Sequence, residues 1–265
     1  MKTAIIQLKV KPDKFANIAR AEELMTKAVK NDAKLIVLPE MFNCPYGTQY
    51  FKEYSEPIPT GPTCQRLSSF AKKNRVTVVG GSIPEVSNGK LYNTSAVFNP
   101  SGNLIAKHRK VHLFDVSLKK VKMKESSVLT PGESLTTFST PFGKVGLIIC
   151  YDVRFPEIFR QMLKKDIRAV VVPAAFSVVT GSAHWKMLMR TRAVDNQIYM
   201  VAASPARSYG KGYRAYGHSL VSDPFGVVIA EAGVGEEVIY ADLNNDRVEE
   251  VRNTLPLLRH RKFQC

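Results

Sequence analysis

The sequence predicts an α/β protein whose strands are covered by helices, or a layered α/β sandwich. Three observations predict it. Short β-branched apolar runs recur along the whole chain, segments with helical apolar spacing separate them, and several runs are apolar throughout rather than alternating. A strand that is apolar at every position is buried on both faces, and helices are the usual cover.

The elements follow in order. "TAIIQLKV" reads as a strand, and Asn17 to Val29 carries apolar residues at helical spacing. "KLIVLPE" is an apolar strand that runs into Pro39 and Glu40. Cys64 to Asn74 reads as a helix and "VTVVGGSI" as one buried strand. "LYNTSAVFN" and "NLIAKHRK" form a hairpin around Pro100 to Gly102. "KVGLIICYD" is a strand, Pro156 to Lys164 a helix, "RAVVVPAAF" a strand and His184 to Asn196 a helix. "IYMVAAS", "GHSLVSD", "VVIAEAG" and "EEVIYADL" are further strands before a short final helix. No repeat, low-complexity segment or Pro/Gly/Ser linker divides the chain, so residues 1–265 are expected to form one domain.

Composition narrows the functional classes. Hydrophobic residues make up 45% and charged residues 23%, an ordinary globular balance. No stretch approaches the roughly 20 apolar residues of a membrane span. The opening "MKTAIIQLKV" reads straight into a strand and has no leader-like apolar core, so a cytoplasmic protein is expected. Cys44, Cys64, Cys150 and Cys265 form no C-x-x-C pair, which favours free thiols over disulfides or structural zinc. The net charge is +15, densest in "KHRKVH", "SLKKVKMK" and "RHRK". Neither a zinc finger, an RRM signature nor an aromatic-interleaved basic groove accompanies it, so no nucleic-acid partner is expected. A small anionic substrate would be drawn by the same charge.

Three reactive residues stand after strand-like runs: Glu40 after "IVLP", Lys110 after "IAKHR" and Cys150 after "GLII". Sites in open α/β sheets gather beyond the carboxyl ends of strands, so these three groups are placed to converge. A thiol becomes a strong nucleophile when a base takes its proton. A half-buried carboxylate has its pKa raised toward that of a useful base, and an ammonium steadies an oxyanion. Each residue has an ordinary alternative: a core cysteine, a strand-end acid, a solvated lysine. His108 and His112 flank Lys110 on one strand face, but a third metal ligand is missing from the sequence, so no metal is expected. His184 and His218 are further histidines with no context that marks a base.

Together "LPEMFNCPYG", "KHRKVHLFD" and "GLIICYDVRFPE" resemble the nitrilase superfamily of carbon-nitrogen hydrolases over essentially the whole chain. The resemblance implies a four-layer α-β-β-α sandwich and a triad at Glu40, Lys110 and Cys150, with a second glutamate at Glu125 in "KESSVLTPGE". "FNCPYG", "YDVRFPE", "TGSAHW" and "RAVDNQ" are similar to the omega-amidase branch, with Cys44 where that branch usually has serine. That implies hydrolysis of the terminal amide of 2-oxoglutaramate and 2-oxosuccinamate through a cysteine thioester, without a cofactor. Lys110 and the backbone N–H of Tyr151 would hold the oxyanion, Arg154 the far carboxylate of the substrate, and Tyr46 would add a hydroxyl contact. A homodimer is expected on the same grounds. The rival readings are a deaminated-glutathione amidase, a carbamoylase or a nitrilase on the same triad, a metal-dependent amidohydrolase, and a catalytically idle basic binding protein.

Overall fold

In the computed structural model, which describes residues 1–119, 121–208 and 212–263, the strands lie in two large sheets. Cys265 and Lys120 of the basic run "SLKKVKMK" lie outside the described residues. In chain order the first half holds β1 (Lys2–Gln7), α1 (Lys14–Lys30), β2 (Leu35–Val37), α2 (Thr48–Tyr54), α3 (Pro62–Asn74), β3 (Thr77–Val79), β4 (Ile83–Ser87), β5 (Lys90–Phe98) and β6 (Leu104–Arg109). The small hairpin β7 (Asp115–Leu118) and β8 (Val121–Lys124) follows. The second half holds β9 (Thr136–Thr140), β10 (Gly143–Leu147), α4 (Pro156–Leu163), β11 (Ile167–Pro173), α5 (Val178–Asn196), β12 (Tyr199–Ala203), β13 (Leu220–Ser222), β14 (Val228–Glu231) and β15 (Glu237–Asp242). Two short helices, α6 (Asn245–Thr254) and α7 (Leu257–His260), close it.

The first sheet has seven strands, ordered β15-β1-β2-β3-β5-β4 with β6 on β5, and the second has six, ordered β14-β13-β12-β11-β10-β9. Alternate residues on each strand point to different layers, as the strand period of two requires. Ala4 and Ile6 of β1 pack outward with Ile18, Ala21 and Met25 of α1, while Ile5 turns inward. On β11, Val170 and Val172 pack outward with Phe159 of α4 and Trp185 and Met189 of α5, while Ala169 and Val171 turn inward. The inward sets of the two sheets meet in one apolar layer that includes Ile5, Val37, Val97, Leu147, Val171 and Val201. The result is a sandwich with layers in the order helix, sheet, sheet, helix, and it explains why these strands are apolar at every position.

Helix ends follow their local chemistry. The Asp13 carboxylate accepts from the Ala16 N–H at 2.9 Å, capping α1, and the Ser177 hydroxyl caps α5 through the Thr180 N–H at 3.2 Å. Pro62 and Pro156 open α3 and α4.

Three expectations are corrected, and some elements went unread. "VTVVGGSI" is two strands, because Gly80 and Gly81 break the run between β3 and β4. At Gly81, φ is +54° and an added Cβ would sit 2.1 Å from the Pro39 carbonyl oxygen, so the chain here needs glycine. The helix expected from His184 starts at Val178, since its first turns bury small residues rather than an apolar stripe. The strand leading to Cys150 ends at Leu147, and Cys150–Arg154 is a turn of 3-10 helix. The β7–β8 hairpin and α2 carry too few apolar residues to register as periodic.

Candidate active site

Glu40, Lys110 and Cys150 each lie one to three residues past a strand, Glu40 and Cys150 in turns. The turns are held by backbone that only a few conformations satisfy. Met41, directly after Glu40, has φ +51°, and its N–H is held by the Ser82 hydroxyl at 3.1 Å. Cys150 itself has φ +48°, an uncommon left-handed conformation for a side chain with a Cβ. Such strain persists where the surroundings over-determine it, and it lifts the thiol out of the strand. Lys110 is fixed on both sides, its N–H donating to the Asn93 carbonyl and its own carbonyl accepting from the Gly132 N–H, both at 2.8 Å. A Cβ at Gly132 would meet the Arg109 carbonyl oxygen at 2.2 Å, so the Pro131–Gly132 turn can press on this strand end only as glycine.

The side chains converge. The Lys110 ammonium donates to Glu40 Oε1 at 2.9 Å and to Glu125 Oε1 at 3.1 Å, and lies 2.9 Å from Glu125 Oε2. All three residues have no exposed surface, and Cys150 retains 5%. Glu125 also accepts from the Tyr46 hydroxyl at 2.7 Å and from the Phe114 N–H at 2.8 Å. Glu40 Oε1 accepts from Asn93 Nδ2 at 2.8 Å, whereas Oε2 is buried without a partner of ordinary hydrogen-bond geometry. The Cys150 thiol interacts with the Glu40 carboxylate and with the backbone N–H of Ala175. A contact of this kind is commonly loose before substrate arrives.

The electrostatics follow from burial. Burial works against the Lys110 charge, but Glu125 and Glu40 outweigh it, so its pKa is raised and it stays an ammonium. Burial raises the pKa of Glu40, Lys110 opposes that, and Glu125 adds to it. Burial and then Glu40 push the Cys150 thiol well above its usual range despite Lys110. With both glutamates ionised and Lys110 charged, the buried cluster carries one excess negative charge. Ionising Cys150 into bulk water would add a second. Passing its proton to Glu40 leaves the total unchanged, so that transfer is the low-cost route to a thiolate.

Asp152, two residues past Cys150, ties the thiol's turn to the strand end of Lys110. Fully buried, it accepts from the Ile149 N–H at 3.0 Å, from the His112 N–H at 2.8 Å and ring Nδ1 at 2.9 Å, and from His108 Nε2 at 3.3 Å. His108 and His112 bracket Lys110, so one carboxylate sets the register between the amine and the thiol. Burial alone would raise Asp152, yet these histidine bonds pull its pKa well below the usual carboxylate range. From the other side, Arg192 donates to the carbonyls of Val153 at 2.9 Å and Arg154 at 3.1 Å.

A cavity of about 260 Å³ reaches the cluster at Glu40, and its lining also includes Tyr46, Ala175, Tyr213, Lys11 and Gln49. Tyr46 and Tyr213 face each other with ring centroids 4.4 Å apart, and the Tyr213 hydroxyl donates to the Ala175 carbonyl at 2.5 Å. Arg154, four residues past Cys150, is not in that lining. Its guanidinium stands 4.8 Å from the Phe176 ring centroid and donates from Nη1 to His184 Nδ1 at 3.2 Å. Tyr151 is the second residue of the 3-10 turn, directly after Cys150. Among the described residues no group of three or more His, Cys, Asp or Glu could hold a metal ion; His112 pairs with Asp152, and His108 with Asp152 and the Thr136 hydroxyl.

Sequence reading thus named every member of the central cluster but missed several supporting residues. Asn93 has a visible signal, a lone amide inside the apolar run "LYNTSAVF". Asp152 has another in its place two residues past the thiol. Tyr213 has none, because it reaches the site from a loop.

The chain is similar to known proteins over nearly its whole length. The curated omega-amidase NIT2 of Mus musculus is 47% identical over 260 residues, covering 98% of this chain and 94% of that protein. The omega-amidase NIT3 of Saccharomyces cerevisiae is 49% identical over 272 residues, with 99% and 94% covered. The crystal structure of Saccharomyces cerevisiae Nit3, described as a member of branch 10 of the nitrilase superfamily, superposes with a TM-score of 0.92 at 47% identity, covering 99% of this chain and 97% of that one. Residues 2–253 match the carbon-nitrogen hydrolase family, and the chain belongs to it.

Proposed function

We propose that this protein is an omega-amidase, a single domain over residues 1–265 that hydrolyses the terminal amide of 2-oxoglutaramate and 2-oxosuccinamate to the 2-oxo dicarboxylate and ammonia. The observation that carries the reading is the buried contact of Lys110 with both Glu40 and Glu125 beside the Cys150 thiol. The likeness to curated omega-amidases selects the substrate class.

The chemistry follows from the charges. Glu40 takes the Cys150 proton and the thiolate attacks the amide carbon. The carbonyl π electrons move to oxygen, and the oxyanion is held by the Lys110 ammonium and the Tyr151 N–H, which lies in the first turn of the 3-10 helix and so has no acceptor within it. Glu40 returns its proton to the amide nitrogen as the C–N bond breaks, releasing ammonia and leaving a thioester. Glu40 then takes a proton from water, hydroxide adds to the thioester carbon, and collapse expels the Cys150 thiolate, which recovers the proton. Glu125 holds Lys110 in place through both oxygens and, with the Tyr46 hydroxyl, borders the substrate amide. Arg154 would receive the substrate's far carboxylate. The roughly 260 Å³ cavity lies below the usual 300–1,000 Å³ range for drug-sized ligands and suits a five-carbon amide. No cofactor enters these steps.

Placement in the cytoplasm and assembly as a homodimer complete the proposal. No helix among the described residues is long and apolar enough to cross a membrane. The test is a substrate panel of 2-oxosuccinamate, 2-oxoglutaramate, deaminated glutathione, an N-carbamoyl amino acid and an aliphatic nitrile. Highest kcat/KM on the two 2-oxo amides is expected. Preference for any of the other three would replace the substrate reading while leaving the triad in place.

A further inference from the structure

We infer that His184 is a positioning residue that aims Arg154 at the carboxylate of the substrate, and so sets the preference for anionic amides. The inference rests on the proposed role of Arg154 and extends it to a residue outside the reacting groups.

A guanidinium only donates hydrogen bonds, so the 3.2 Å contact from Arg154 Nη1 requires His184 Nδ1 to be an unprotonated acceptor, with the ring proton on Nε2. This is the only hydrogen bond Arg154's guanidinium makes among the described residues, and its Nε is buried without a partner. Holding Nη1 leaves the opposite edge, formed by Nε and Nη2. That edge is the one this protein already uses for carboxylates. Arg109 donates to Glu85 from Nε at 2.8 Å and from Nη2 at 2.9 Å in the same side-on fork.

The histidine is itself rigidly placed. The next residue, Trp185, is buried, stacks edge-on to Phe176 at 5.1 Å, and donates from its indole to the His218 carbonyl at 2.6 Å. Phe176 in turn lies under the Arg154 guanidinium. One contact fixes the plane of the guanidinium and the other fixes its rotation. What remains is a buried Nε–H without a partner that a carboxylate would complete.

The experiment measures kcat and KM for 2-oxosuccinamate and for the uncharged butyramide in wild type, Arg154→Met, His184→Leu, His184→Asn and the Arg154→Met/His184→Leu double variant, with thermal melts of each. His184→Leu should lower the ratio of kcat/KM, 2-oxosuccinamate over butyramide, by about tenfold, mostly through KM, as expected for a lost hydrogen bond to a charged group. His184→Asn, whose side-chain oxygen can replace the ring nitrogen, should stay within about threefold of wild type. The double variant should show no further fall beyond Arg154→Met, because the histidine acts through the arginine. Three results would each overturn the inference: a ratio unmoved by His184→Leu, equal losses on both amides with a lowered melting temperature, or full additivity in the double variant. An unmoved ratio in Arg154→Met would remove the assigned role of Arg154, and the inference with it, without touching the triad.

Discussion

At the scale of the residue, the site works by sharing one ammonium between two carboxylates. Lys110 without Glu125 would be a buried charge with half its partners, and breaking such a set is costly. Lys110→Met is expected to lower kcat by about 10² to 10³, the usual loss for an oxyanion donor, with a smaller change in KM. Glu125→Gln keeps the shape but loosens the ammonium, and single-turnover kinetics should show acylation slowed by up to about a hundredfold. The pH dependence has a definite sign. Glu40 must be ionised to accept a proton, and burial raises its pKa, so kcat/KM should fall on the acid side at a pH above the ordinary carboxylate range. A pH–rate profile with its acid limb at the ordinary carboxylate value would show that Glu40 is not the base. At this scale the sequence was most legible, since Glu40, Lys110 and Cys150 each mark an abrupt change from apolar run to reactive group. Asp152 and Asn93 were less so, because a buried polar residue is recognised by its partners, and those are distant in the chain.

At the scale of the element, the strand ends are locked by carboxylates that cross the sheet. Glu85 on β4 accepts from Thr94 on β5 and from Lys107 and Arg109 on β6, the strand that leads into Lys110. Burial opposes its charge, but Arg109, Thr94 and Lys107 hold it down at about 2. Its folded value lies below the unfolded one, so it contributes stability above the unfolded value of about 4.5, and that contribution is lost as pH falls toward about 2. Glu85→Gln should therefore melt below wild type at neutral pH, and the gap should close as pH falls through that window. Asp152→Asn should cost roughly 3 kcal/mol or more in denaturant unfolding, because the amide N–H₂ must face either the two His112 donors on one oxygen or the Ile149 and His108 donors on the other. Strand positions were legible from apolar runs, whereas the β3–β4 break, the early start of α5 and the β7–β8 hairpin were not. Glycine pairs, helical turns of small residues and a lysine-rich hairpin give no apolar period to read.

At the scale of the whole molecule, two sheets packed face to face bring strand ends from both halves of the sequence to one place. Glu40 and Lys110 come from the first sheet and Cys150 from the second. The shared apolar layer is what keeps that meeting in register. Leu147, fully buried in this layer and three residues before the thiol, is a direct probe of it. Leu147→Ala should lower stability by about 2–5 kcal/mol in chemical unfolding. The alternation of inward and outward residues was invisible in runs that are apolar throughout, so the layers came from family resemblance rather than from periodicity.

The most direct measurement of the central claim is ammonia release from 2-oxosuccinamate by wild type and by Cys150→Ala. Release by wild type that vanishes in the variant is the predicted result. Release that persists without the thiol would contradict the thioester mechanism and the assignment of Cys150 as its nucleophile.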